Sequence, residues 1–123
     1  MLIPCRDLRP GQELPGATGD GWSITWVAGP DGAPNFNPGR AEPNPLIAMG
    51  MTAVPQGGAF TPHTNAGAAL SIVLQGDGEF RVGGTTSAIG ALDAVYCPAS
   101  DIIGIANTST HPLYVMWVDE MAG

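Results

Sequence analysis

The sequence contains no lysine, and its four cationic side chains are all arginines, set against eleven aspartates and glutamates. The formal net charge at pH 7 is -7. Binding to a phosphate backbone depends on clustered Lys and Arg side chains, so we do not expect nucleic acid as a partner. The absence of lysine also excludes Schiff-base catalysis by a lysine amine.

Cysteines and long apolar runs are also scarce. The two cysteines, Cys5 and Cys97, lie far apart and form neither a CxxC motif nor a zinc-type spacing. No run approaches the ~20 apolar residues that a membrane helix requires. The first residues lack the basic segment and apolar core of a signal peptide. We therefore expect a cytoplasmic protein with reduced thiols and no membrane partner.

Glycine and proline are abundant instead, with 18 glycines and 12 prolines among 123 residues. Hydrophobic residues make up 44% of the whole sequence. Both residue types fall between apolar runs, a pattern typical of short strands joined by turns. The length suits one domain. The sequence therefore predicts a single all-β domain with no helix, and a long loop over 28–45. The predicted strands are 22–27, 46–54, 63–73, 79–82, 102–106 and 112–118.

Two blocks of residues share an ordered pattern of glycines, prolines and polar residues. They are Gly57 or Gly58, His63, Asn65, Ala69 and Gly76, followed by Gly90, Pro98, Ser100, Ile103 and Asn107. Over roughly residues 46–118 this pattern resembles the two motifs of the cupin family. The resemblance implies a double-stranded β-helix, also called a jelly roll or cupin barrel, with a ligand cavity at one mouth. Residues 1–21 are then an N-terminal arm, and residues 22–123 form the barrel.

The same resemblance identifies four positions where cupins hold a divalent metal with His, His, Glu and His. Here these positions are His63, Asn65, Ala69 and Ile103. Asparagine is a poor ligand for such ions, and alanine and isoleucine cannot coordinate them. We therefore expect no metal and no other cofactor. A metallo-cupin with an unusual ligand set, recruiting Cys97 or His111, is the alternative.

Without a metal, His63 is the candidate catalytic residue. Desolvation in an apolar barrel is expected to lower its pKa below ~6.5, which leaves a neutral base that can move protons. Asn65 is the candidate donor of a hydrogen bond to a carbonyl or enolate oxygen. Side chains alternate along a strand, so His63, Asn65 and Ser71 share one face of a strand over positions 63–73. The resemblance implies that this face is directed into the cavity.

Bulky or polar residues on other predicted strands are the candidate substrate contacts. One of Tyr96 and Cys97 must face the cavity, because the strand alternates, and the sequence leaves the choice open. Most of the bulky apolar residues are expected in the core, and some of them in a cavity wall. The predicted substrate-binding set is Trp26, Met49, Met51, Ser71, Phe80, Tyr96, Cys97 and Ile103.

These residues predict a small metal-independent cupin enzyme that acts on a mostly apolar small molecule by acid and base catalysis. Similar stand-alone cupins are cyclases, dehydratases and isomerases of secondary metabolism. A non-catalytic small-molecule-binding cupin and a dioxygenase-like metallo-cupin are the alternatives. Cupins commonly pair through an edge strand or an N-terminal segment, so a homodimer is expected from the resemblance.

Overall fold

The computed structural model describes residues 23–29, 42–43, 47–64 and 67–120, and in these ranges it contains strands and turns but no helix. The arm predicted over residues 1–21 lies outside them. The all-β prediction is confirmed. The strands are β1 (Ser23–Gly29), β2 (Glu42–Pro43), β3 (Ile47–Val54), β4 (Ala59–Thr64), β5 (Ala69–Gln75), β6 (Gly78–Val82), β7 (Thr85–Ile89), β8 (Ala94–Cys97), β9 (Ile102–Ala106) and β10 (Leu113–Glu120).

The strands form two sheets. One has six strands in the order β2-β1-β3-β10-β5-β8, and the other has four in the order β4-β9-β6-β7. All neighbours are antiparallel except β1 and β2. Because the described ranges contain no helix, they contain no helical segment that could cross a membrane.

A single hydrophobic cluster, here called the inner cluster, joins the facing sides of the two sheets. The inner face of a strand is the side that contributes to this cluster. Alternation along β5 makes the inner face easy to follow, since Ala69, Ser71 and Val73 are buried whereas Leu70 and Ile72 are exposed. The members of the inner cluster are Val54, Ala69, Val73, Phe80, Ile89, Cys97, Ile103, Leu113 and Val115.

The single strand predicted over positions 63–73 is two strands in different sheets, so that prediction is wrong. β4 ends at Thr64 and β5 begins at Ala69. The reason is a close approach of the backbone at Gly67, where a Cβ atom would collide with the carbonyl group of Glu120. The Glu120 N–H also donates to the Ala68 carbonyl at 2.9 Å. The chain therefore passes the end of β10 as it crosses from one sheet to the other.

The loop predicted over residues 28–45 is also partly wrong. Ala28 and Gly29 continue β1, and Glu42 and Pro43 pair with them in parallel. A proline is acceptable at the edge of a sheet because the missing N–H need not join a ladder. The other strand predictions agree with the structure to within a few residues at each end.

Asn107 joins the turn before β10 to the end of β3. Its side chain is 2% exposed. The amide nitrogen donates to the Val54 carbonyl at 3.0 Å and to the His111 carbonyl at 2.7 Å. The amide oxygen accepts from the N–H and hydroxyl groups of Ser109. All four hydrogen-bonding positions of the side chain are thus used, which makes Asn107 a structural residue.

We expect Asn107→Ala to lower the free energy of unfolding by about 2–3 kcal/mol, because it removes the side-chain donor to the buried Val54 carbonyl and the acceptor of the Ser109 N–H. Thr108→Ala, at the exposed neighbouring position, is the matched control and should change stability by less than about 0.5 kcal/mol. Urea unfolding followed by circular dichroism measures both values. Equal stability of the two variants would contradict the structural role of Asn107.

Candidate functional site

The candidate site lies on the inner face at the end of the barrel where β5 begins. Ala69 is 3% exposed and Ser71 is 4% exposed, so a methyl group and a hydroxyl group are buried there side by side. Ala69 pairs with Cys97 of β8, and Ser71 pairs with Trp117 of β10. The register thus brings residues of β5, β8 and β10 together.

Cys97, and not Tyr96, faces the inner cluster. Cys97 is 2% exposed and belongs to that cluster, whereas Tyr96 is 63% exposed. Burial raises the pKa of the Cys97 thiol, and the negative charges of Asp101 and Asp119 raise it further. The thiol also lies 3.6 Å from the Pro98 carbonyl oxygen and 3.7 Å from that of Asp101. A raised pKa keeps the sulfur protonated at neutral pH, so Cys97 is a poor nucleophile.

His63 lies in β4, directly opposite Ile103 of β9. Residues paired in this way occupy the same face of a sheet. Ile103 is 5% exposed and belongs to the inner cluster, so position 63 is on the inner face. The side chain of His63 and the whole of Asn65 lie outside the described part of the structure. Their predicted catalytic roles therefore remain predictions.

The other predicted substrate contacts are spread over different parts of the fold. Met51 belongs to a second hydrophobic cluster with Ala53 and Tyr114, and Met49 lies two residues away on the same side of β3. That side is opposite to the one facing the inner cluster. Trp26 pairs with Gly50 through its backbone, and its side chain is not among those described. The structure does not bring the two methionines together with Ser71 and Cys97.

Phe80 and Tyr96 border a separate cavity of about 460 Å³. It lies between β7 and β8, the last strands of the two sheets, and Val82, Val95 and the hydroxyl residues Thr85 and Ser87 also line it. Phe80 is a core residue, since only 1% of its surface is exposed, and it also lines this cavity. The volume is within the range of small-molecule sites.

Trp117 and Thr52 form a polar contact on the inner face. The indole N–H donates to the Thr52 hydroxyl oxygen at 2.9 Å, and Thr52 is only 2% exposed. A buried indole N–H requires such an acceptor. The contact leaves the flat indole ring near Ser71, its register partner. Trp117 was not in the predicted substrate-binding set, so this neighbour of the site was not identified from the sequence.

Asp119 is the functional candidate that sequence reasoning missed. It pairs with Ala48 on one side and with Ala69 on the other, two residues beyond Trp117 on β10. Residues two apart on a strand share a face, so Asp119 is on the inner face. The strand had been predicted to end at Val118. Extending the alternation Leu113, Val115, Trp117 by one step would have identified Asp119.

The described residues do not fit a divalent-metal site. Ala69 and Ile103 carry no donor atom, and the described part of the chain has no group of three or more His, Cys, Asp or Glu side chains that could hold an ion. His111 is not a substitute ligand. It lies in the turn before β10, and a strand rises about 3.3 Å per residue, so that turn is roughly 20 Å from the level of Asp119.

Comparison with known proteins adds a family assignment to this geometry. The model of the cupin domain family matches residues 50–119, which is more than half of the chain. No curated protein matches the sequence significantly.

Solved structures with this fold are numerous, and the three described next are 14–20% identical to the chain. A predicted oxalate decarboxylase from Thermotoga maritima has a TM-score of 0.74 at 20% identity, covering 99% of this chain and 100% of that one. A cupin superfamily protein from Desulfitobacterium hafniense has a TM-score of 0.65 at 14% identity, covering 86% and 83%. The DMSP lyase DddQ from Ruegeria pomeroyi has a TM-score of 0.64 at 17% identity, covering 80% and 46%. These likenesses confirm the double-stranded β-helix and do not assign an activity.

We expect protein purified without chelators to contain less than about 0.1 equivalent of any transition metal, because such ions need about three or four protein ligands. Inductively coupled plasma mass spectrometry measures the content. Protein produced in medium supplemented with zinc, iron and manganese is the control for metal supply. A stoichiometric metal that survives dialysis would contradict the absence of a metal site.

Proposed function

Since the chain belongs to the cupin family, we propose that it is a metal-independent enzyme that moves protons on a mostly apolar small molecule. His63 is the general base in this proposal, and Asn65 donates a hydrogen bond to the substrate oxygen. The reaction is of the isomerase, dehydratase or cyclase type. A small molecule is the only partner that the chemistry requires.

The observation that carries the proposal is the pairing of position 63 with Ile103. Ile103 is 5% exposed and packs in the same cluster as Ala69 and Cys97. Where cupins carry donors to a metal, this chain has two aliphatic side chains. In this proposal the imidazole of His63 is directed to this face, where its neighbours would be apolar side chains, and such neighbours favour the neutral, basic form of an imidazole.

The proposed reaction needs no co-reactant. His63 takes a proton from the carbon next to a substrate carbonyl, and the electron pair of the broken C–H bond moves to the carbonyl oxygen. The amide of Asn65 donates to that oxygen as negative charge develops. The imidazolium then returns the proton at another atom of the substrate, so that the enzyme is unchanged after each cycle.

The described surroundings also suit an apolar substrate. Ser71 and Thr52 contribute hydroxyl groups, and Trp117 contributes a flat ring whose N–H is already bound to Thr52. Such a mixture of apolar surface and a few polar groups is typical of small-molecule sites. The structural neighbours named for enzymes, a predicted oxalate decarboxylase and a DMSP lyase, support small-molecule chemistry only in this general sense.

A non-catalytic binding protein is the second candidate, and the cavity between β7 and β8 favours it. That cavity is bordered by Phe80 and Tyr96 and does not involve the pairing of position 63 with Ile103. A ligand held there would need no general base. The two candidates differ in whether the protein catalyses a reaction that the removal of His63 abolishes.

We expect the wild-type protein to accelerate solvent deuterium exchange at the carbon next to the carbonyl of small apolar ketones, measured by proton NMR in deuterium oxide. His63→Ala should lower this rate by about 10²-fold or more, the usual contribution of a general base. His111→Ala is the matched control, because it removes the other of the two histidines from an exposed turn.

Binding of the same ketones, followed by tryptophan fluorescence, separates the two candidates. If the protein is an enzyme, His63→Ala should still bind the ketones but should no longer catalyse deuterium exchange. Exchange at the wild-type rate in His63→Ala would contradict the role of His63. Tight binding without any acceleration by the wild type would favour the binding protein.

A further inference from the structure

The side of the six-stranded sheet that faces away from the inner cluster, here called the outer face, is apolar across four neighbouring strands. Residues paired across antiparallel strands lie on the same face of a sheet. The register therefore defines two rows of side chains that cross β3, β10, β5 and β8 in this order. One row is Met51, Met116, Ile72 and Ala94, and the other is Met49, Val118, Leu70 and Tyr96. Neither row contains a charged residue.

The part of the outer face over β5 and β8 is open to solvent. Met51, at the β3 end of one row, is buried, whereas Ile72, two strands further along the row, is 41% exposed. Leu70 and Leu74 of β5 are exposed to a similar extent, and Tyr96 of β8 is exposed more than these. Single surface hydrophobic residues are normal, but a contiguous apolar area of this kind indicates an interaction site.

Leu92 extends the exposed apolar area and adopts an unfavourable backbone conformation there. Its N–H donates to the Val73 carbonyl at 2.8 Å, and the Val73 N–H donates to the Asp93 carbonyl at 2.9 Å. These bonds continue the contact of β8 with β5 and bring Leu92 beside the level of Leu74. Leu92 has φ of 75° and is 83% exposed. A bulky residue rarely adopts the left-handed conformation, and an outlier of this kind points to a function.

The exposed residues are here called the outer patch, and they are Leu70, Ile72, Leu74, Leu92 and Tyr96. The outer face that contains them is close to the size of a dimer interface. Four strands about 4.8 Å apart and the eight residues of β10 at about 3.3 Å each give roughly 500 Å² in projection. Protruding side chains add to this value, and specific interfaces bury about 600 Å² or more per partner.

The charge of the protein favours a second copy of the chain as the partner. With a net charge of -7, two copies repel each other except where the surfaces that meet carry no charge. The outer patch provides such a surface. A two-fold axis brings the same patch of both copies together, so an apolar patch is complementary to itself. Aromatic and Met side chains are also enriched in protein interfaces, and the two rows contain three methionines and a tyrosine. A basic partner would instead be attracted to the acidic parts of the surface.

We propose that the protein is a two-fold symmetric dimer in which the outer patches of two copies pack face to face. Burial of its side chain in the interface offsets the unfavourable conformation of Leu92. The dimer forms through the face of a sheet and not through an edge strand or an N-terminal segment, the two modes expected from the family resemblance. The proposal does not depend on the role of His63.

Sedimentation velocity over about a hundredfold range of protein concentration tests the proposal, since the dimer fraction depends on that concentration. The wild type should sediment with about twice the 12.6 kDa mass of the chain. Ile72→Glu should raise the dissociation constant by about 100-fold or more, because it buries an unpaired charge twice in a symmetric interface. Ile102→Glu is the matched control. It adds the same charge at an isoleucine of similar exposure, on β9 of the other sheet, and should leave the dissociation constant unchanged.

Leu92→Gly is the second variant, and it decides the question if Ile72→Glu fails to fold. Glycine adopts a positive φ without strain, so this variant should fold as the wild type does by circular dichroism. It should nevertheless raise the dissociation constant by about 10-fold or more, because two apolar contacts are lost.

A wild type that sediments as a monomer would overturn the proposal and would mean that another segment of this chain or a different protein covers the outer patch. Folded Ile72→Glu or Leu92→Gly protein that dimerises as tightly as the wild type would overturn it too. Equal weakening of the dimer by Ile102→Glu would also contradict the proposal, since it would assign the effect to net charge and not to the outer patch.

Discussion

The pairing of β10 with β3 on one side and β5 on the other is the constraint on which the rest of the structure depends. These two pairings join β3 to β5 within the six-stranded sheet, and Leu113 and Val115 of β10 are completely buried. Glu120, the last residue of β10, also sets the path of the chain. Its backbone N–H donates to the Ala68 carbonyl, and its carbonyl group leaves no room for a side chain at Gly67. The start of β5, with Ala69 on its inner face, is fixed by that contact.

The consequence for chemistry is a site built from few polar groups in apolar surroundings. Ala69 and Ile103 remove the donors that a metal requires, and their burial lowers the local dielectric. In such surroundings a single ionisable group is strongly affected by its neighbours. The raised pKa of the Cys97 thiol is the clearest sign of this environment among the described residues. The same conditions would tune a base at position 63.

The sequence predicted most of the fold because turn chemistry is local. Glycine and proline positions marked the turns, and Asn107 has the structural role expected of a motif residue. Ser100 shows how a substitution can keep the turn, since it adopts the left-handed conformation, with φ of 69°, at the place of the motif glycine. The family and the all-β architecture followed from these local signals.

The site was less predictable because it depends on pairings between distant strands. A single alternating strand through positions 63 and 69 was assumed, whereas the close approach of Gly67 to Glu120 divides it in two. Asp119 was missed because its place on the inner face, beside Ala48 and Ala69, follows only from the strand register. Cys97 and Tyr96 could not be separated by alternation alone, since the phase of β8 depends on its pairing with β5.

The most direct test of this account is a crystal structure of the protein soaked with a small apolar ketone, with anomalous data collected for transition metals. The account predicts the ketone on the inner face near Ser71 and Trp117, with its oxygen facing His63 or Asn65 and no anomalous peak. A metal ion bound by His63, or a ketone found only between β7 and β8 beside Tyr96, would contradict it.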